Sequence, residues 1–119
     1  MKNSKRSVGN RYEEMASQYL LENGYEILAR NVVYRCGEID IVARQGDTLV
    51  FVEVRKRDPR SGIAPEETLT PTKQKRLLRA IRLYLARYSG TAARARIDLI
   101  GFTGEHLTHF EDFMRIQSA

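Results

Sequence analysis

The chain has 119 residues and a net charge of +5, with 42% hydrophobic and 29% charged residues. This length suits one domain spanning residues 1–119. The composition excludes a disordered chain and also a membrane-spanning one, which would need an apolar run of about 20 residues. The excess of basic residues favours a polyanionic partner, chiefly nucleic acid. Cys36 is the single cysteine, so no internal disulfide can form and we expect a cytoplasmic protein without membrane association.

The first predicted element is a helix from Val8 to about Glu22, where apolar residues recur at helical spacing. Asn23-Gly24 supplies its stop, because glycine readily takes the left-handed conformation that ends helices. The segment YEILARNVVYR follows and is rich in β-forming residues. It predicts a strand with a bend near Asn31.

Two further strands are predicted at Glu38–Arg44 and Thr48–Arg55. Gly46-Asp47 between them suits a tight two-residue turn, with glycine at the position that needs a positive φ. Such a turn fixes the register of the hairpin, because it pairs Gln45 with Thr48.

The second half of the chain begins with a predicted loop at residues 58–71, which hold three prolines and little periodicity. Thr70 or Thr72 suits the N-cap of a second helix, with Pro71 in its first turn, and this helix extends to about Tyr88. Its predicted buried stripe comprises Leu77, Leu78, Ile81, Tyr84, Leu85 and Tyr88. ARIDLIGF and HLTHFEDF predict a fourth and a fifth strand. The order αβββαββ indicates an α/β fold in which helices flank a mixed sheet of about five strands.

Acidic residues interrupt the most strand-prone part of the chain, residues 37–57. The register pairs Asp40 directly with Glu53 and brings Glu38 opposite Arg55. Alternation along the strand puts Asp40 on one face, with Ile39 and Ile41 together on the other. Two acids so paired have Cβ atoms about 5 Å apart and repel each other.

Two interpretations of this acidic pair follow from the residues alone. A divalent cation such as Mg²⁺ would relieve the repulsion, because it takes carboxylate oxygens and keeps positions free for phosphate. Alternatively, Arg55 and other basic residues neutralise the acids in an ordinary ion-pair network.

An Asp followed by Glu-x-Lys on the next strand is the signature of the restriction-endonuclease-like, or PD-(D/E)XK, nucleases, and this hairpin resembles it. More closely, the chain resembles the poorly characterised bacterial YraN-like family. The matching segments cover most of the chain in order: YEEMASQYLLENGYEILARN, GEIDIVA, LVFVEVRKR, TPTKQKRL and RIDLI. The resemblance implies a restriction-endonuclease-like fold and extends to archaeal-type Holliday-junction resolvases.

The resemblance also implies a metal-dependent endonuclease that cleaves DNA, including branched or structured DNA. Asp40 and Glu53 would bind Mg²⁺ or Mn²⁺, with Glu13 of the first helix or Glu38 completing the acidic cluster. Arg55 stands where these nucleases usually have lysine, and would stabilise charge on the phosphate. Because arginine cannot act as a general base, the alternative is a catalytically weak or inactive nucleic-acid-binding module that retains the nuclease fold. A third hypothesis is an interaction scaffold, and a homodimer would present two sites.

Basic and polar residues that flank the hairpin in sequence fit a path for nucleic acid. The candidates are Arg57, Arg60, Lys73, Gln74, Lys75, Arg76 and Arg79. Lys56 is expected to point away from Arg55, to the opposite face.

Four further polar residues are expected outside the chemistry. Glu14 is predicted to lie on the surface, about 100° round the helix from Glu13. Asp98, among apolar neighbours, is either paired structurally or near the site, and the pattern favours the structural role. His106 and His109 lack supporting ligands at zinc spacing, so both are predicted to be surface residues.

Overall fold

The predicted order of elements is confirmed by a computed structural model, which describes residues 4–116 and side chains from Arg11 onward. The elements are α1 Ser4–Glu22, β1 Glu26–Tyr34, β2 Gly37–Gln45, β3 Thr48–Arg57, α2 Pro71–Arg87, β4 Arg94–Thr103 and β5 His106–Met114. They form an α/β fold in which two helices flank one five-stranded sheet. No helix within residues 4–116 is long and apolar enough to cross a membrane.

The sheet is mixed, with the strands in sequence order from β1 to β5. All neighbours are antiparallel except β3 and β4, which run parallel. A parallel pair needs a long crossover connection, and α2 lies in the segment between these two strands. Residues of β3 pack alternately: Val50 and Val52 against α1, Leu49 and Phe51 against α2. The two helices therefore cover opposite faces of the sheet.

Helix α1 begins at Ser4, four residues before the predicted start at Val8. Its predicted apolar stripe packs on the sheet through Tyr12, Met15, Ala16, Tyr19 and Leu20. The side chain of Val8, also assigned to this stripe, lies outside the described side chains. The helix ends as expected, since Gly24 adopts a φ of +86°.

Helix α2 is capped by Thr70, whose Oγ1 accepts from the backbone N–H of Lys73 at 3.3 Å. The predicted stripe packs against the second face of the sheet, with Leu77 and Ile81 buried. The preceding loop is more ordered than the sequence suggested, since it contains short 3-10 turns at Pro59–Ser61 and Pro65–Thr68.

A close approach between β2 and α2 fixes the helix beside the start of the strand. A Cβ atom on Gly37 would lie 2.3 Å from the backbone oxygen of Arg76. Only glycine fits at this distance, so Gly37 sets how near the basic first half of α2 stands to β2.

Both edge strands carry a residue in the left-handed region. Asn31 in β1 and Asp112 in β5 each have a φ of +54°, and the pairing of each strand is irregular: β1 at Ile27/Ala29 and β4–β5 at Ile97/Leu99. Such irregularities protect sheet edges from pairing with another chain.

Candidate functional site

A cavity of about 560 Å³ opens where β2 and β3 part. Helix α1 lines it with Tyr12 and Glu13, and the first half of α2 lines it from the other side. Its walls combine both signs of charge. The acids are Glu13, Glu38, Asp40 and Glu53, and the basic residues are Arg35, Arg55, Lys56, Lys73 and Arg76. The structure therefore brings together all four acids that the sequence predicted for the site.

The hairpin has the predicted register. Gly46 has a φ of +60°, and the ladder runs from the pair Gln45–Thr48 to the pair Ile41–Val52. The next position, at which the prediction paired Asp40 with Glu53, lies beyond the end of this ladder. There the carboxylate of Asp40 accepts a hydrogen bond from the backbone N–H of Val54 at 2.8 Å. The strands part at the two acids, which opens the cavity.

The surroundings of Asp40 and Glu53 favour the protonated form of both carboxyl groups. Burial is the largest cause and raises the pKa of both carboxyl groups. The charge of Glu53 raises the pKa of Asp40 further, and the Val54 amide opposes this rise. At Glu53 the neighbouring Arg55 opposes the effect of burial. A buried carboxyl pair of this kind binds a proton or a cation more readily than an isolated acid does.

The predicted alternation fails next to Asp40. Ile41 packs in the apolar cluster under α1, whereas Ile39 packs under α2. The expectation that these two residues share a face was wrong. On β1, Asn31 lies beside Asp40, between the pairs Arg30–Ile41 and Val32–Ile39, and its left-handed backbone twists the strands at this point.

Glu13 reaches the cavity from α1. Its Oε1 is buried and, within the described part of the chain, has no hydrogen-bond partner. Burial and the nearby Asp40 raise the pKa of Glu13 to about 7, although Arg30 and Asn31 act in the opposite direction. Glu14 differs as predicted: its side chain is 68% exposed and bonds Arg30 at 2.7 Å.

Arg55 bonds Glu53, and not Glu38, which the predicted register placed opposite it. Within the described residues its guanidinium bonds Glu53 Oε2 at 3.2 Å and Thr68 twice, through Oγ1 at 2.7 Å and the backbone oxygen at 3.1 Å. The parting of the strands removes the ladder that would have held Arg55 opposite Glu38. The folded loop before α2 supplies the new partner.

The predicted nucleic-acid-binding residues separate into two groups. Lys73 and Arg76 line the cavity. Arg57, Gln74 and Lys75 are not among its lining residues. Arg57 bonds Ser61 Oγ at 3.1 Å, and Gln74 donates to the backbone oxygen of Leu69 at 2.9 Å, because both face the loop. Lys75 is exposed on α2.

Sequence reasoning missed Lys56 and Tyr12 as residues of the site. Lys56 does point away from Arg55, yet it still lines the cavity, which continues round the sheet end towards α1. Its Nζ lies 5.8 Å from the centroid of the Tyr12 ring. The sequence signal was the run of three basic residues at the end of β3. At the end of a sheet, side chains from both faces can line the same cavity, so alternation does not exclude Lys56.

Asp98 lies outside the cavity in a buried network, as the structural interpretation predicted. Burial acts to raise the pKa of Asp98, but hydrogen bonds from His109, Arg96 and the Asp112 amide outweigh it and lower the pKa. His109 donates from Nε2 to this carboxylate at 2.8 Å, and its Nδ1 then accepts from Tyr19. The prediction that His109 is a surface residue was wrong. Asp98 is buried and needs hydrogen-bond partners, and His109 is buried beside it as one of them. His106 is exposed, as predicted.

The donor set of the cavity suits a hard divalent cation. Among residues 11–116, no group of three or more His, Cys, Asp or Glu side chains already stands in a metal-holding arrangement. Nevertheless, Asp40, Glu53 and the unpartnered Oε1 of Glu13 are carboxylate oxygens, the ligands that Mg²⁺ prefers. The chemistry of these side chains therefore fits a divalent cation.

Comparison with known proteins identifies the family. The model of the uncharacterised protein family UPF0102 matches residues 12–102. A UPF0102 protein from Symbiobacterium thermophilum is 45% identical over 95 residues, which cover 80% of each chain. One from Carboxydothermus hydrogenoformans is 44% identical over 98 residues, covering 82% of this chain and 83% of that protein. One from Vibrio cholerae is 40% identical over 106 residues, covering 86% and 87%. The chain belongs to the uncharacterised protein family UPF0102.

Proposed function

We propose that this protein is a cytoplasmic, divalent-metal-dependent endonuclease that cleaves DNA, including branched or structured DNA. The observation that carries the proposal is the largely desolvated pair Asp40–Glu53 in a cavity that basic residues also line. Buried carboxyls with raised pKa values are typical of catalytic sites. The net charge of +5 and the restriction-endonuclease-like signature in the hairpin support a nucleic-acid substrate.

The metal ligands in this proposal are Asp40 and Glu53, with Glu13 and Glu38 completing the acidic cluster. Mg²⁺ or Mn²⁺ held there would polarise the phosphodiester and lower the pKa of a water. Binding a cation would also satisfy Glu13 Oε1, which has no partner in the described structure.

The residues of the chain have separate tasks in the reaction. Lys73 and Arg76 stand at the rim and bind phosphates on either side of the scissile bond, which contributes affinity without reading sequence. Glu13 has a pKa of about 7 in the metal-free site. A bound cation would lower this pKa, so Glu13 would act in the cluster as an ionised carboxylate ligand.

A nucleic-acid-binding module without robust chemistry is the second candidate. The observation that favours it is the engagement of Arg55 by Glu53 and Thr68, which leaves this arginine little freedom to meet a phosphate. In that case the basic rim would bind DNA, and the acids would not support cleavage.

Cleavage assays with Mn²⁺ separate the two candidates. Purified wild-type protein is incubated with duplex, single-stranded and four-way-junction DNA, beside Asp40→Asn and Glu53→Gln. We expect metal-dependent cleavage by wild type that each substitution abolishes, while Glu14→Gln, an exposed acid on the same helix as Glu13, retains it. Salt-dependent binding with no cleavage of any substrate would favour the binding module, and cleavage that survives both substitutions would remove the proposed site.

A further inference from the structure

The guanidinium of Arg55 is committed to the loop before α2. Three of its five N–H groups bond Thr68 and Glu53. Thr68 Oγ1 in turn donates to the backbone oxygen of Pro65 at 2.6 Å. Arg55 thus connects β3 with the turn Pro65–Thr68, and its charge is largely offset by Glu53 at 3.2 Å.

The same turn is seated on the sheet. Pro65 is buried, and a Cβ on Gly101 would lie 2.8 Å from Pro65 Cβ, so the turn packs directly on β4. Thr70, two residues after Thr68, caps α2. The contact between Arg55 and Thr68 therefore holds the loop at the point from which α2 presents its basic residues to the cavity.

Lys56 has the opposite properties. It is exposed, it lines the cavity, and within residues 11–116 no ion pair engages its ammonium. Its neighbour is the Tyr12 ring at 5.8 Å, one residue before Glu13 on α1. A lysine ammonium is a compact charge with three donors on a flexible stem, so it can contact a phosphate without breaking existing bonds.

We propose that Lys56, and not Arg55, is the cationic residue that contacts the scissile phosphate, and that Arg55 is a positioning residue that fastens the loop. This inference rests on the proposed function, because it assigns the charge that the reaction needs at the acidic pair. It also accounts for arginine at the position where the nuclease signature has lysine. The planar fork of Arg55 bonds Thr68 and Glu53 at once, and a lysine lacks such a fork.

The test compares two single-charge deletions one residue apart. Binding of a duplex is measured by fluorescence anisotropy from 50 to 200 mM salt, without metal, for wild type, Lys56→Ala and Arg55→Ala. A lost phosphate contact lowers the slope of log affinity against log salt by about 0.9. We expect this change for Lys56→Ala and its restoration by Lys56→Arg. Arg55→Ala should have the same slope as Thr68→Val, which loosens the loop without removing a charge.

Loop fastening is measured separately by limited proteolysis of residues 58–70. We expect faster cleavage for Arg55→Ala and also for Arg55→Lys, which keeps the charge but lacks the fork. Thr68→Val, which leaves Arg55 in place, should show the same increase. Lys56→Ala should be cleaved at the wild-type rate, and it also serves as the control for general destabilisation.

Several results would overturn the inference. They are a slope for Arg55→Ala that is lower than that of Thr68→Val by about 0.9, an unchanged slope for Lys56→Ala, or full loop protection in Arg55→Lys. Failure of the proposed function is recognised separately: wild type would bind DNA but not cleave it with Mn²⁺, while the slopes still test Lys56. Wild-type protein that binds no DNA even at 50 mM salt would refute the Lys56 contact as well.

Discussion

Glu13 makes the stability of the protein depend on pH in a predictable direction. Its pKa rises from 4.5 to about 7 on folding, chiefly through burial. The folded state therefore holds the proton more tightly than the unfolded state does. The contribution to stability is fully present below pH 4.5 and is lost as the pH rises towards 7. At about 1.4 kcal/mol per pKa unit the ceiling is about 3 kcal/mol, and solvent screening at this half-buried side chain reduces our expectation to about 1–2 kcal/mol.

Substitution Glu13→Gln removes the charge and keeps the shape. We expect wild type and variant to have similar free energies of unfolding at pH 4.5, and the variant to be more stable by about 1–2 kcal/mol at pH 8. Urea denaturation at pH 4.5, 6 and 8, without divalent metal, measures the difference. Glu14→Gln is the matched control, because Glu14 is exposed and its bond with Arg30 is worth at most about 1 kcal/mol at any pH. Equal stability of wild type and Glu13→Gln at pH 8 would refute a burial cost for the charged form of Glu13.

Two further substitutions test how the fold positions the cavity. Gly37→Ala should cost about 1–3 kcal/mol in urea denaturation and weaken DNA binding, since the new Cβ would meet the backbone oxygen of Arg76 at 2.3 Å and push α2 away; unchanged stability would mean that the helix is not held there. Asp98→Asn should destabilise by about 1–3 kcal/mol, because Asp98 is fully buried and an amide cannot accept all the bonds from Arg96, His109 and the Asp112 N–H, yet it should not change DNA affinity. A loss of DNA affinity in a folded Asp98→Asn protein would show that the site extends beyond the cavity.

The hairpin shows where sequence reasoning succeeds and where it stops. The Gly46-Asp47 turn determines the register, so the pairing of Gln45 with Thr48 followed from local chemistry. At the end of the ladder the Asp40 carboxylate accepts the Val54 amide, and Asn31 on the neighbouring strand has a left-handed backbone. The local pattern of β2 contains neither piece of information. The contact of Arg55 with Thr68 likewise joins residues through a loop whose path is set by packing on β4. Alternation and periodicity predict the structure of one helix or strand at a time. Contacts at the end of a sheet depend on residues from several elements, so these patterns do not predict them.

The most direct test of the site is isothermal titration of Mn²⁺ into wild type, Asp40→Asn and Glu53→Gln at pH 8. We predict saturable binding by wild type and its loss in both variants, because each substitution removes a carboxylate ligand from the buried pair. Protons compete for the same oxygens, so wild-type affinity should fall by about tenfold or more between pH 8 and pH 6. Binding that is equally tight in wild type and both variants, and independent of pH, would contradict the assignment of Asp40 and Glu53 as a metal-binding pair.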